Sequence, residues 1–286
     1  MISYADNRED VLLARVFRGQ PTGFYLDVGA HHPTGSSVTR HFYDAGWRGI
    51  NIEPIAALHA LYATERPRDV TLDVALSSAP GRLELWEGRG DAIGLSTLSA
   101  DEAERHRRAG FAFAKRTVAV TTLAAVCAAH ATDRVIDFLS IDVEGHERDV
   151  LLGADFARFR PRVIMIEATQ PNTQTPTHAR WEALLLAADY RFGAFDGLNR
   201  FYVRGEEADA LLPRLATPVS VFDDFVPLET HVLREQVRLM TPIVERARVQ
   251  GAVGDGALAV ARRIDAVYNR LARLASTPSR LRAWRR

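Results

Sequence analysis

The sequence predicts an α/β protein built on a doubly wound, mostly parallel sheet with helices on both faces. Three observations carry that prediction. Apolar strand-like runs alternate with helical segments six or seven times, the pattern of parallel strands joined by helical crossovers. Five of these runs end beside an acid, namely Asp27, Glu53, Asp73, Asp142 and Glu167. All five fall on the carboxyl edge, where such sheets bind ligands. Residues 24–54 also read as strand, loop, helix and strand, with Asp-x-Gly after the first strand and Glu53 placed 26 positions after Asp27. Such a unit holds a nucleoside: its glycine lets the ligand approach the backbone, and the second-strand acid accepts hydrogen bonds from ribose hydroxyls.

The elements follow in order. Leu12, Leu13, Val16 and Phe17 recur on one face and predict a helix over 9–17. Gly19-Gln20-Pro21-Thr22-Gly23 ends it and leads into the first strand, 24–28. His31 to Gly35 form a loop, and Ser36 or Ser37 caps a helix that ends near Gly46. The second strand is 49–52, a helix covers 56–65, and 70–76 form the third strand. An additional strand spans 81–86. The Gly-rich stretch 87–98 and a polar helix over 100–109 are expected to form a mobile flap over the site. A short strand at 118–120 and a helix over 122–131 precede the fourth strand, 135–141, which ends at Asp142. A helix begins at Glu147, the fifth strand is 162–166, and a helix covers 176–188. Strands 190–195 and 200–203 close the sheet through the hairpin turn Asp196-Gly197-Leu198-Asn199. The arrangement is a Rossmann-like, seven-stranded sheet.

Composition sets the bounds. At 286 residues, with 47% hydrophobic and 25% charged residues, the chain has room for one large domain and an appendage. A formal net charge of zero gives no global attraction to nucleic acid. The single cysteine, Cys127, excludes a disulfide framework and points to a reducing compartment. The N-terminal residues lack the apolar core of a signal peptide, and no apolar run is long enough to span a bilayer. The expectation is a cytoplasmic protein.

Past Pro213 the character changes. Residues 219–227 read as an ordered linker. Beyond them Leu233, Val237, Met240, Val244 and Ala247 recur at spacings of four and three, and Ile264, Val267, Leu271 and Leu274 repeat the pattern after a turn over 251–256. This predicts a helical hairpin with a coiled-coil-like seam, its first arm broken or kinked at Pro242. The division is therefore a domain over 1–225 and a hairpin over 226–286, an oligomerisation or tethering element expected to make the protein a homo-oligomer. Residues 262–286 carry eight arginines against Asp265. Membrane-surface contact through this basic C-terminus is the lesser alternative to a solvated face.

The first turn decides which nucleoside ligand fits. A dinucleotide would want G-x-G-x-x-G, whereas Gly29 is followed by Ala30, His31, His32, Pro33, Thr34 and Gly35. A lone Asp-x-Gly turn suits a ligand without phosphate that carries an amine and a carboxylate, such as S-adenosylmethionine. Asp27 and the Gly29 backbone then lie near its methionine part, Glu53 at the ribose, and Asp73 and Val74 near the adenine. His31, Ser36 and Asp142 complete the cofactor side. Histidines 31, 32, 41 and 146 lack the spacing of a closed zinc site.

Four stretches resemble a known family. Asp27-Val-Gly-Ala-His31, Gly46-Trp-Arg-Gly-Ile-Asn-Ile-Glu-Pro54, Phe138-Leu-Ser-Ile-Asp-Val-Glu-Gly-His-Glu147 and Asp196-Gly-Leu-Asn-Arg-Phe-Tyr202 look like the FkbM family of S-adenosylmethionine-dependent methyltransferases. The resemblance covers roughly residues 4–225. It implies the sheet of class I methyltransferases and methylation of a hydroxyl on a sugar, glycan or glycosylated metabolite.

Asp142, Glu144, His146 and Glu147 form the densest polar cluster. A hydroxyl acceptor must be deprotonated or polarised, and two routes stay open. In one, Asp142, Glu144 or His146 acts as general base. In the other, Asp142 and Glu167, with Asn199, hold a magnesium-like ion that lowers the acceptor's pKa. Glu167, Asn199 and Arg200 form the acceptor side. Competing readings are a nicotinamide-dependent oxidoreductase or epimerase, and a non-catalytic scaffold of a glycan-synthesis complex.

Overall fold

The computed structural model describes residues 1–249 and Arg263. Seven strands make the central sheet: β1 (Phe24–Val28), β2 (Arg48–Ile52), β3 (Val70–Leu72), β4 (Phe138–Ile141), β5 (Val163–Glu167), β6 (Tyr190–Phe195) and β7 (Asn199–Arg204). Their order is β6-β7-β5-β4-β1-β2-β3. Strands β1 to β5 run parallel, and β7 lies antiparallel to both of its neighbours. The expected α/β fold with a mostly parallel central sheet is present.

The strands are continuous apolar runs because both faces are covered. Alternate side chains serve opposite cores. Leu26, Ile50, Leu139 and Ile164 pack on one face with Trp181. Tyr25, Phe138 and Met165 pack on the other with Leu13, Phe42 and Trp47. From β1 the chain winds outward to β2 and β3, then returns to β4 and continues the other way. The reversal opens a crevice at the carboxyl ends of β1 and β4, where open α/β sheets take their ligands.

Several elements differ from expectation. The run 70–76 divides: Val70–Leu72 stays in the central sheet, while Ala75–Leu76 joins a three-stranded sheet with Phe113–Thr121 and Gly81–Gly88. The division lets Ala75 pack with Ile55, Leu85, Val118 and Val120 in a separate small core. The strand expected at 118–120 is three times that length because it pairs with the whole of Gly81–Gly88. Between these two strands lie a 3₁₀ turn, Gly90–Leu95, and the helix Ala100–Arg108, capped by Ser99 Oγ. The helix expected after Ser36 or Ser37 starts at Arg40 behind Thr39. Ser37 Oγ accepts from the Arg40 N–H at 3.2 Å, and Ser36 turns away in a left-handed conformation.

A helix over Ala208–Leu215, absent from the sequence reading, covers β7 with Leu211 and Leu215. The linker carries a 3₁₀ turn, Val221–Asp223, and a short strand, Val226–Pro227, parallel to Ile2–Ser3. The helix Leu228–Val249 is one element through Pro242, where a break or a kink was expected. The second arm of the expected hairpin falls in residues outside those described, Arg263 apart. Among the described residues no helix is long and apolar enough to cross a membrane.

Candidate active site

A cavity of about 910 Å³ opens at the crevice. Its floor is the carboxyl ends of β1, β2, β4 and β5. Its roof is the segment 91–98, and loop 172–174 closes one side.

The loop after β1 is built around Gly29. That residue has φ +80°, and a Cβ there would fall 1.8 Å from the Asp142 carbonyl oxygen, so only glycine lets the β1 and β4 loops meet. The Gly29 and Ala30 N–H groups donate to the Ile52 carbonyl, and the Asp142 N–H donates to the Val28 carbonyl. Three strand ends are thereby tied together.

Glu53 braces the same loop. Its carboxylate, buried at the end of β2, accepts from the His31 N–H at 2.8 Å and the Ile55 N–H at 2.7 Å. Burial pushes its pKa up to about 7, against those two bonds. Asp27 is buried at the end of β1 and accepts from Thr39 Oγ1 at 3.0 Å. Burial lifts it to about 6, opposed by Thr39 and by the charge of Arg66.

The other end of the cavity is acidic. Asp142, Glu144 and Glu167 bring carboxylate oxygens within 4.8 Å of one another. Glu144 sits in a left-handed turn at φ +53°, followed by Gly145 at φ +98°. Thr97 Oγ1, from the roof, donates to the Glu144 carbonyl at 2.7 Å. Three acceptor groups this close suit a hydrogen-bond donor or a cation placed among them.

Asp27, Gly29, His31, Ser36, Glu53, Asp142, Glu144 and Glu167 all line the cavity. Five of the singled-out residues stand outside its lining. Asp73 and Val74 precede the strand that leaves the central sheet, and Val74 packs against the core; Ala75, Leu76 and Leu85 line that end in their place. His146 lies behind the floor, with Nε2 3.1 Å from Ser77 Oγ, and burial lowers its pKa. Asn199 is buried beneath the floor, donating Nδ2 to Glu9 and Asp196. Arg200 bonds Glu182 and Tyr202. Of the grouping expected from Asp142, Glu167 and Asn199, the structure brings the two acids together with Glu144, while Asn199 stands outside the cavity lining with Nδ2 on Glu9 and Asp196.

The sequence did not single out Asp6, Glu9, Ser140 or the polar run Asn172-Thr173-Gln174, which line the cavity, whereas the roof residues Ile93 to Leu98 fall within the stretch expected to cover the site. Two signals were available. The run 172–174 follows shortly after Glu167, and Glu9 opens a helix whose apolar face is buried.

The fold and this site define an α/β protein with a ligand cavity at the switch point of its sheet. A model of the methyltransferase FkbM domain matches residues 27–192, more than half of the chain. The chain belongs to the FkbM methyltransferase family. A comparison with curated protein sequences returned no match. Among solved structures, the crystal structure of CalO1, a methyltransferase in calicheamicin biosynthesis, in its SAH-bound form, aligns at a TM-score of 0.34 and 14% identity. The alignment covers 69% of this chain and 54% of that one, so this chain matches about half of CalO1. So slight a likeness carries no argument about this site.

Proposed function

We propose that this chain is an S-adenosylmethionine-dependent O-methyltransferase acting on a hydroxyl of a sugar, glycan or glycosylated metabolite. The observation that carries the reading is Glu53. A carboxylate buried at the end of β2, held by two backbone N–H groups and facing a glycine turn, suits a ribose diol. Two acceptor lone pairs remain on it after the His31 and Ile55 bonds.

The residues present fit the cofactor. Gly29 lines the cavity with bare backbone and lets the Asp142 loop close against it. Asp27, kept from solvent, supplies negative charge for an α-amino group. Ile55, Leu76, Leu85 and Ile93 give the apolar wall that a purine needs. When bound, the cofactor supplies an electrophilic methyl group. The chain's own residues bind and orient the acceptor and take its proton.

For that proton we assign the carboxylate group of Asp142, Glu144 and Glu167, rather than His146, because it lines the cavity. Carboxylates accept hydrogen bonds from hydroxyls, which suits a polyhydroxyl acceptor. The same three hard oxygen donors fit the magnesium route, and a chelator separates the two. Turnover unchanged in EDTA leaves proton removal to a carboxylate; turnover lost in EDTA and restored by magnesium selects the ion.

The test of the cofactor reading is calorimetric titration with S-adenosylmethionine and, separately, NADH. Micromolar binding of the first alone is expected. Binding of NADH alone would return the oxidoreductase reading, and binding of neither would favour the scaffold.

A further inference from the structure

We propose that Arg66 is a positioning residue for the cofactor site, acting on Asp27 through Thr39. The assignment rests on the cavity being an S-adenosylmethionine site, and its test is chosen to fail separately.

Arg66 follows the helix Ala56–Glu65 and is 1% exposed, with no ligand-facing position of its own. Its guanidinium is spent on five contacts. Nε donates to Asp69 Oδ2 at 3.1 Å, and Nη2 pairs with the same oxygen at 3.0 Å. Nη1 donates to the Pro33 carbonyl at 2.9 Å. Nη2 also donates to the Tyr25 hydroxyl at 2.8 Å and to Thr39 Oγ1 at 3.0 Å. Its carbon stands 4.7 Å from the Tyr43 ring centre and 5.8 Å from those of Tyr25 and Tyr62. Asp69 balances the charge and is itself fully buried.

The direction of the hydrogen bonds makes this a device rather than a filler. A guanidinium can only donate. Thr39 Oγ1 therefore receives from Arg66, and its single proton is left to point at Asp27 Oδ2, 3.0 Å away. Ser140, the β4 register partner of Asp27, adds a second hydroxyl to that carboxylate. Asp27 is thereby locked in orientation. Through Pro33 the same guanidinium fixes the loop that runs from His31 to Ser36, which lines the cavity at both ends. One buried cation thus sets the acid on the methionine side through Thr39, bonds the loop only at Pro33, and makes no hydrogen bond to Glu53.

That asymmetry gives the test. S-adenosylmethionine and methylthioadenosine share the nucleoside and differ in the amino-acid part. Thr39→Val removes the bridging hydroxyl and leaves the Arg66–Asp69 pair intact, so the fold is kept. It is expected to weaken S-adenosylmethionine binding roughly tenfold, the scale of a lost hydrogen bond to a charged group. Methylthioadenosine affinity is expected to stay within about twofold. Thr39→Ser, which restores the hydroxyl, should bind both as the wild type does. Arg66→Met should repeat the selective loss wherever it folds, and adding Thr39→Val to it should cost little more, because both cut one relay. Equal weakening of both ligands, or no change in either, overturns the assignment. A wild-type protein that binds neither ligand overturns the cofactor reading and this assignment with it.

Discussion

At the scale of single residues, the site is governed by carboxyl groups that burial holds near neutrality. Burial pushes Glu53 up to about 7 and Asp27 up to about 6, against about 4 for such groups in water. A protonated carboxyl has lost acceptor capacity, and both groups are asked to accept from donors of the cofactor. Affinity for S-adenosylmethionine should therefore rise from pH 6 to pH 8 as first Asp27 and then Glu53 ionise. A titration series across that range checks the sign; affinity that is flat or falls with pH would remove these two acids from the contact. Gly29 gives a second residue-scale expectation. In Gly29→Ala the left-handed backbone alone costs about 1–2 kcal/mol, before the 1.8 Å approach to the Asp142 carbonyl is relieved. Loss of cofactor binding together with a lowered Tm is expected, and unchanged binding would show that the β1 and β4 loops part without consequence.

At the scale of elements, the catalytic edge is assembled by segments that lie outside the parallel sheet. The roof is seated on the β4 loop through Thr97 and the Glu144 carbonyl. Arg105 ties its helix to the 170–174 loop by bonding the Pro171 carbonyl at 2.8 Å, and Gln170 Nε2 donates to Glu102 of the same helix at 3.2 Å. Thr97→Val removes the hydroxyl and leaves the Glu144 turn without its clamp. Turnover should drop roughly tenfold, the scale of a buried acceptor left unsatisfied, while cofactor affinity stays unchanged, because Thr97 bonds the acceptor side. Equal losses in both would mean that the roof serves the cavity as a whole. These elements also mark how far the sequence was legible. The acids at the ends of β1, β2, β4 and β5 were readable because an apolar run followed by a carboxylate has few other meanings. The split at Asp73 was not, since Val70 to Leu76 is one unbroken pattern and only the distant strand Phe113–Thr121 draws its end away. Arg66 was equally silent: its partners Tyr25, Pro33 and Thr39 are dozens of positions away, and nothing local distinguishes it from a surface arginine.

At the scale of the whole molecule, the two ends of the described chain are bound to each other. Ile2–Ser3 pairs with Val226–Pro227, the Met1 amino group donates to the Asp224 carbonyl at 2.7 Å, and Asp10 accepts from Ser3 at 2.7 Å. Arg15 holds Asp223 with two bonds, at 2.8 and 3.1 Å, both side chains largely buried. This belt crosses the boundary expected at residue 225 and places the start of the helix Leu228–Val249 at a fixed point on the body. Val232 and Leu239 stand exposed along that helix, at 42% and 62%, so the face invites cover by another surface. Two truncations separate the belt from the helix. Ending the chain after Pro227 keeps every belt contact, so Tm should hold, and the light-scattering mass should drop by more than the deleted residues if the helix assembles copies of the chain. Ending it after Thr217 removes the Arg15 bonds to Asp223 and Pro218 and the pairing of Ile2–Ser3, a loss of about 3 kcal/mol at about 1 kcal/mol for each hydrogen bond. At roughly 2 °C per kcal/mol for a chain of this size, Tm should fall by about 6 °C. A mass lowered by the deleted residues alone in the first truncation would remove assembly from the roles of the helix. An unchanged Tm in the second would show that the catalytic body closes without its belt.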